Sequence, residues 1–497
     1  MSELKDLLKF VTSVNKNDPG VMDTITGKSN SLKLTKFSEV SRNPLFKDEN
    51  EIKKALYGRK RKTDGYRKLK SRFKNKLIDS IFLSNTGRRL KFPYDNSLFN
   101  VQRNLFAAQI LLLQDQRKSA IALTVPALHA AIRFQHSHLA VIACRILCHH
   151  SALSGSGREF KNYSEILVQK QKLFLAELEI QKLYNAILFK IVKAADYDSQ
   201  SKKLLRKSYD KASRINRSNR SHVIVLHYYR IAIRYFQSQH LYNKAISLCK
   251  ECNQYLEKNP HLYQRSRAGE FALYEMESCL RLQQYEKGMA CAERCMRHFT
   301  PYHSPWLVFN EQYFLLAMRT GNYFKALDIF YIVTSSYRFK KLAQVKIELW
   351  KIYEAWLNFL LPDSLPKKQF NLFRFLNEVE TVRKDKSGYN FSIIIAQLLL
   401  LINIQEKEKL FELEAAFRLY LNRHIKKETN PRNYYFGMMM RILYNSDFNS
   451  KSAEKKARPF CKKLESMNKT LPTLEETEII PYPMLWKLIL EKCKQMK

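Results

Sequence analysis

The sequence predicts an all-α protein, and three observations predict it. Glycine (12) and proline (14) are sparse in a chain of 497 residues, while Leu, Lys, Phe and Tyr abound, so few turns interrupt long elements. From residue 99 onward apolar residues recur at three- and four-residue steps instead of alternating. A corner phrase, an aromatic followed three residues later by a small residue, occurs three times: Tyr242 with Ala245, Tyr285 with Gly288, and Tyr323 with Ala326. With 45% apolar residues the chain can bury a large core.

Read in order, the chain opens on an amphipathic helix over 3–14, a pattern broken by Glu3, Lys5, Asp6 and Lys9 and therefore unlike a secretion signal. A polar linker runs through 30. Helices are predicted at 34–41, 49–57 and 63–83, followed by a turn at Asn85-Thr86-Gly87. An array at 99–113, 118–134 and 139–151 carries Ala107, Ala108, Ala130, Ala131 and Ala143, small enough for helices to approach closely, and Pro126 is expected to kink or divide its second member. Ser154 to Gly157 breaks the array, and a spine helix follows at 160–195. After the corner phrases, helical periodicity continues at 342–360, 367–383, 389–404, 408–427, 433–444, 453–467 and 483–494. These divisions give an N-terminal helix and linker (1–33), a basic helical module (34–95), a helical array with spine (96–221), three repeats (222–342), and degenerate repeats with a cap (343–497).

The repeats carry Tyr229, Ala232, Phe236, Tyr242, Ala245, Cys249 and Cys252 in the first, Ala272, Cys279, Tyr285, Gly288, Ala292 and Cys295 in the second, and Gly321, Tyr323, Ala326, Phe330 and Val333 in the third. This pattern resembles the tetratricopeptide repeat, with steps of 43 and 38 residues between the anchor tyrosines instead of about 34. Asn310, Ile233 and Phe314 depart from it. The resemblance implies a tetratricopeptide-like α-solenoid, a right-handed superhelix of helix pairs, behind the N-terminal basic module. It also implies a groove lined by first helices, toward which Arg230, Arg234, Arg281 and Arg319 are expected to face. These do not reproduce a Lys/Asn carboxylate clamp.

Several local patterns imitate chemistry. Residues 20–29 read Gly-x6-Gly-Lys-Ser, but a phosphate loop needs four residues between its glycines and a strand before them. Cys249, Cys252, Cys279, Cys291 and Cys295 can be arranged on paper as a zinc site, but most of them fall on slots of the repeat pattern, where cysteine acts as a compact apolar residue. Cys144 and Cys148 share one helix face, which His149 and His150 do not, and His136 and His138 lie earlier. No metal, cofactor or catalytic set is expected. Nine cysteines without dense spacing suit a reducing compartment, and the apolar run 391–404, interrupted by Gln397 and Asn403, is too short to span a bilayer. The expected location is the cytoplasm.

The net charge of +40 creates a field that attracts anions. Its densest segment contains Arg59, Lys60, Arg61, Lys62, Arg67, Lys68, Lys70, Arg72, Lys74 and Lys76, with Tyr66, Leu69, Phe73, Leu77 and Ile81 forming an apolar stripe among them. Residues 69–77, in a helix, helix, basic helix order with a basic segment after Gly87, faintly resemble the winged helix-turn-helix of bacterial activators. A second basic segment runs from Lys202 to Arg220, with Leu204, Leu205, Tyr209, Ala212 and Ile215 as anchors. The expected function is a non-catalytic protein-protein interaction scaffold that binds an acidic peptide or protein surface. The alternative is a nucleic-acid-binding regulator that contacts phosphates through Arg59, Lys60, Arg61, Lys62, Lys70, Arg72, Lys74 and Lys76, with the repeats as its sensor.

Overall fold

The computed structural model describes residues 49–57, 63–83, 92–193, 199–301, 304–336, 339–361, 389–428, 430–467 and 478–495, together with 4, 7, 8, 11, 34, 36, 37, 40 and 375. The 20–29 segment with its two glycines, Arg59 to Lys62, the turn at 85–87 and most of the helices expected at 3–14 and 367–383 lie outside the described residues. Among the described residues the regular elements are nineteen α-helices and three short 3-10 turns, with no strand.

The described residues form two compact units. The first comprises Met1–Lys182, Ile215–Val225 and Glu257–Gln264; the second comprises Leu183–Arg214, Leu226–Leu256 and Arg265–Lys497. In the first, α1 (Glu49–Tyr57) and α2 (Thr63–Leu83) share a small core with the helical residues Leu4, Leu8, Val11, Leu34 and Phe37. Tyr66, Leu69, Phe73 and Leu77 of α2 are buried there, and Phe73 meets Phe37 edge-on at 5.0 Å. The three- and four-residue spacing of those side chains puts them on one helix face.

Helices α3 (Pro93–Leu113), α4 (Arg117–Arg133) and α5 (Ser137–Leu153) pack on their chain neighbours, and α3 also meets α5. The first begins six residues before the expected start: Pro93 at its first position needs no N–H bond, and Asp95 in the first turn complements the helix dipole. Pro126 does not divide α4. Its side chain is exposed, so the bond it removes lies on the solvent side. Buried Ala127, Ala131, Ala140 and Ala143 line the seam between α4 and α5. The long α6 (Gly157–Lys193) follows, then α7 (Ser199–Ser218).

The helices of the repeat region are α8 (His222–Ser238), α9 (Tyr242–Lys258), α10 (Arg265–Arg281), α11 (Tyr285–Cys295), α12 (Ser304–Thr320) and α13 (Tyr323–Thr334). Beyond them come α14 (Gln344–Leu360), α15 (Tyr389–Asn403), α16 (Lys407–His424), α17 (Pro431–Asn445), α18 (Ser450–Met467) and α19 (Tyr482–Cys493). From α10 to α14, each helix packs on the next in the chain, as do α14 with α15 and the helices from α15 to α19; α10 also meets α12. Gly288 and Gly437 mark the closest approaches. A Cβ on either would lie 2.5 Å from Leu316 Cδ2 or Leu421 Cδ2 respectively, so α11 touches α12, and α17 touches α16, almost backbone to side chain.

Among the described residues one corner recurs at eight helix ends. Asp115, Gln135, Gly155, His240, Gln283, Gly321, Gln405 and Asp447 each take a left-handed φ between 48° and 78°. The next residue's N–H then donates to the carbonyl five residues back, from Gln116 to Leu111 through Phe448 to Leu443, at 2.8–3.2 Å. This closure satisfies carbonyls that the helix end leaves open. The corners at 115, 135 and 155 come every 20 residues, one per helix; those at 240, 283 and 321, and again at 405 and 447, come about every 40, one per helix pair.

Candidate functional site

In the second unit, α10, α12 and α14 wall a hollow of about 260 Å³. Leu280, Leu315, Val308 and Tyr353 give it apolar wall, and Val308 is 45% exposed. Arg281 and Arg319 line it with Glu277, Glu311, Gln312 and Lys346. Lys346 Nζ donates to both carboxylate oxygens of Glu311, at 2.9 and 2.8 Å, tying α14 to α12. The last turns of α10 and α12 supply Leu280, Arg281 and Arg319 because the corners at Gln283 and Gly321 end both helices immediately beyond them.

Arg319 is 6% exposed. Its Nη2 donates to the Glu478 carbonyl at 2.7 Å, and its guanidinium lies 5.8 Å from the centre of the Tyr285 ring. Burial pulls its pKa below the usual arginine value, yet an arginine of this kind keeps its charge. Arg319 Nε is buried without an acceptor among the described residues, and Gln312 Oε1 without a donor. Both residues line the hollow, but these two atoms are buried behind its surface. Such orphaned atoms are costly unless something supplies the missing partner.

The other two arginines expected to face a groove are engaged within the fold. Arg230, on α8, is 2% exposed; its Nε and Nη2 donate to Glu270 Oε2 at 3.0 and 2.6 Å, and it lies over the Tyr184 ring. Burial alone would raise the pKa of Glu270, but the charge and hydrogen bonds of Arg230, with the Tyr274 hydrogen bond and the Arg267 charge, together outweigh it and hold the carboxyl below its ordinary range. Arg234 Nη1 donates to Glu277 Oε2 at 3.1 Å and stacks over Tyr274. Arg281 is half-buried on the wall of the hollow.

A second buried charge centre stands behind Arg319. Glu478 is 0% exposed and accepts from Arg432 Nε and Nη2, both at 2.5 Å, and from the Tyr482 N–H at 2.8 Å. Tyr482 O–H donates to Asn433 Oδ1. Neither Glu478 nor Arg432 stood out in the sequence, because 46 residues separate partners that only tertiary packing brings together.

On the N-terminal module, Lys70 donates to Glu49 at 3.0 Å, Arg72 is exposed, and Lys74 and Lys76 are half-buried. The remaining four residues of that candidate nucleic-acid set, Arg59 to Lys62, lie outside the described residues. The cysteines at 249, 252, 279, 291 and 295 are buried. Burial pushes the Cys279 thiol up to about 11 and Cys249 well above its ordinary value, so both are thiols rather than thiolates at neutral pH. Cys144 is likewise pushed up to about 11, by burial first and then by Cys148. Among the described residues no three His, Cys, Asp or Glu side chains come together as metal ligands, and no helix is long and apolar enough to cross a membrane.

No known protein family, curated protein or solved structure matches this chain.

Proposed function

We propose that this chain is a non-catalytic interaction scaffold, a tetratricopeptide-like solenoid of helix pairs that binds an acidic peptide or protein surface in the hollow between α10, α12 and α14. The repeated corner supports the solenoid reading, since one closure at a near-constant interval is what stacked helix pairs require. The observation that carries the ligand reading is the charge on the wall of the hollow, where Arg281, Arg319 and Lys346 outnumber Glu277 and Glu311. That excess of positive charge complements an acidic ligand, and Val308 with Leu315 gives an apolar floor. The reading places the protein in the cytoplasm and assigns it no cofactor.

The test is fluorescence anisotropy of labelled twelve-residue peptides alternating Glu with Leu, beside peptides with Lys in place of Glu. The acidic set should bind, and Arg281→Glu combined with Val308→Asp should weaken it at least tenfold, about 1.4 kcal/mol. Equal affinity of wild type and variant would remove the hollow as the site.

The regulator reading keeps one specific support. The apolar stripe of α2 is spent on the N-terminal core, which leaves Arg67, Lys68 and Arg72 directed to solvent.

A further inference from the structure

We propose that the outer face of α7 is a nucleic-acid-binding surface that grips the phosphate backbone. Lys203, Arg206, Lys207, Lys211 and Arg214 are all exposed. At about 100° per residue they fall within one arc of about 140° and extend about 16 Å along the axis. Asp210 is the one acid in that arc. Lys203, Arg206, Lys207 and Arg214 form no ion pair among the described residues. By contrast, Arg230, Arg234 and Arg432 of the same unit each hold a carboxylate.

The opposite face fixes the helix in place. Leu205, Ser208 and Ala212 are buried, and Tyr209 stacks on Tyr235 at 4.6 Å and meets Phe236 edge-on at 5.4 Å. The cation row is therefore held ready rather than ordered on binding, which lowers the entropic cost of contact.

The partner's chemistry follows from what the face lacks. A helix that lies on a membrane inserts an apolar face, and here that face is consumed by the fold; no large apolar side chain of α7 is exposed. Protein interfaces are depleted of lysine at their cores and anchored by aromatic or aliphatic groups, whereas three of these five cations are lysines with no exposed apolar neighbour on the helix. A row of exposed cations without apolar anchors, four of them outside any ion pair among the described residues, fits a regular polyanion, whose bound counterions are released on contact.

The experiment uses the full chain, with a labelled 20-nucleotide RNA and a 20-base-pair DNA titrated between 50 and 200 mM salt. With five phosphate contacts, the logarithm of affinity should fall against that of salt with a slope of about −4.5 for the duplex and about −3.5 for the single strand. Reversing Lys203, Arg206, Lys207 and Arg214 to Glu should weaken binding more than tenfold at 50 mM salt and cut the slope magnitude by about 3. Reversing Arg67, Lys68 and Arg72 to Glu on α2 is the control and should leave the slope nearly unchanged. If the Glu variant melts early, the same four positions as Gln give the same reading. An unchanged slope in the α7 variant overturns the proposal, as does an equal loss in the α2 control, which would make binding a property of net charge. Binding to phosphatidylserine vesicles with the same α7 dependence, in the absence of oligonucleotide binding, would assign the face to a membrane and also overturn it. Peptide binding in the hollow is a separate readout, so either reading can fail alone.

Discussion

Arg230, Arg319 and Arg432 are buried, each holding an acceptor, whereas Lys203, Arg206, Lys207, Lys211 and Arg214 of α7 stand in solvent, four of these five without an ion pair among the described residues. The side chains are alike and so are the helices; their surroundings differ. On α8, α12 and α17 an arginine faces a neighbouring element that supplies an acceptor, and removing either partner strands the other in a low-dielectric interior. On α7 the opposite arc takes all the packing, and water serves the charges. Arginine here is thus an internal connector where helices have partners on several sides, and a surface for anions where they do not.

The largest expected effect is at Arg432. Replacing it with Ala leaves the Glu478 carboxylate buried and uncompensated and should cost about 3–5 kcal/mol of stability. Arg206→Ala on α7 should stay within about 0.5 kcal/mol. Replacing both Arg432 and Glu478 with Met and Leu should recover most of the loss, because no charge is then stranded. Urea denaturation of the four proteins checks this, and equal costs at positions 432 and 206 would erase the distinction between the two groups of arginines.

A buried titratable group with no partner is the intermediate case. His136 is 2% exposed, lies 4.7 Å from the Tyr94 ring, and has no hydrogen-bond partner for either ring nitrogen among the described residues. Burial, and then His138, pulls its pKa from 6.5 to about 4. An unfolded imidazole takes up a proton below about pH 6.5 while the folded one resists until about pH 4. Stability should therefore be full above pH 6.5 and fall as pH drops toward 4, by up to about 3 kcal/mol. His227, pulled down to about 3 by burial and then by Arg230, acts in the same direction. Unfolding curves at pH 7 and pH 5 should show His136→Phe losing less stability on acidification than wild type; parallel losses would move the origin of the acid sensitivity elsewhere.

The smallest effect concerns the corners that set where the charged helix ends lie. Gln283 carries φ 58°, a conformation that costs a side chain but not glycine. Gln283→Gly should stabilise by a few tenths to about 1 kcal/mol, net of the added freedom of the unfolded chain. Gly321→Ala, at φ 78° with Met484 Cε 3.1 Å from the added Cβ, should destabilise by about 1 kcal/mol. Thermal melts suffice, and a loss at Gln283→Gly would show that its side chain contributes more than its backbone strain costs.

Much of the helix pattern was legible in the sequence because apolar periodicity survives any detail of packing. Residues 49–57 and 63–83 begin and end as expected, and most others agree within a few residues. The corners were legible at four of the eight described ends, the three tyrosine phrases and the Ser154 to Gly157 break. At Asp115, Gln135, Gln405 and Asp447 the left-handed residue is neither glycine nor followed by the tyrosine phrase, so nothing local announces it. Of the residues that line the hollow, the sequence singled out Arg281 and Arg319 but not Gln312 and Lys346, because a glutamine or lysine on a helix face looks alike whether its neighbour is water or another helix.

By itself the sequence determined that this chain is helical, where most helices run, that three corners are tight, and which segments carry dense positive charge. All of these depend on neighbours a few residues away, whose spacing the backbone geometry turns directly into faces and ends. Only the tertiary structure decided which charges are spent and which remain available. Arg230 is consumed by a glutamate 40 residues on and Arg432 by one 46 residues on, while Arg206 and Arg214 meet none among the described residues. An ion pair's worth is set by distance and burial, and neither can be read along a chain whose partners are brought together only by packing.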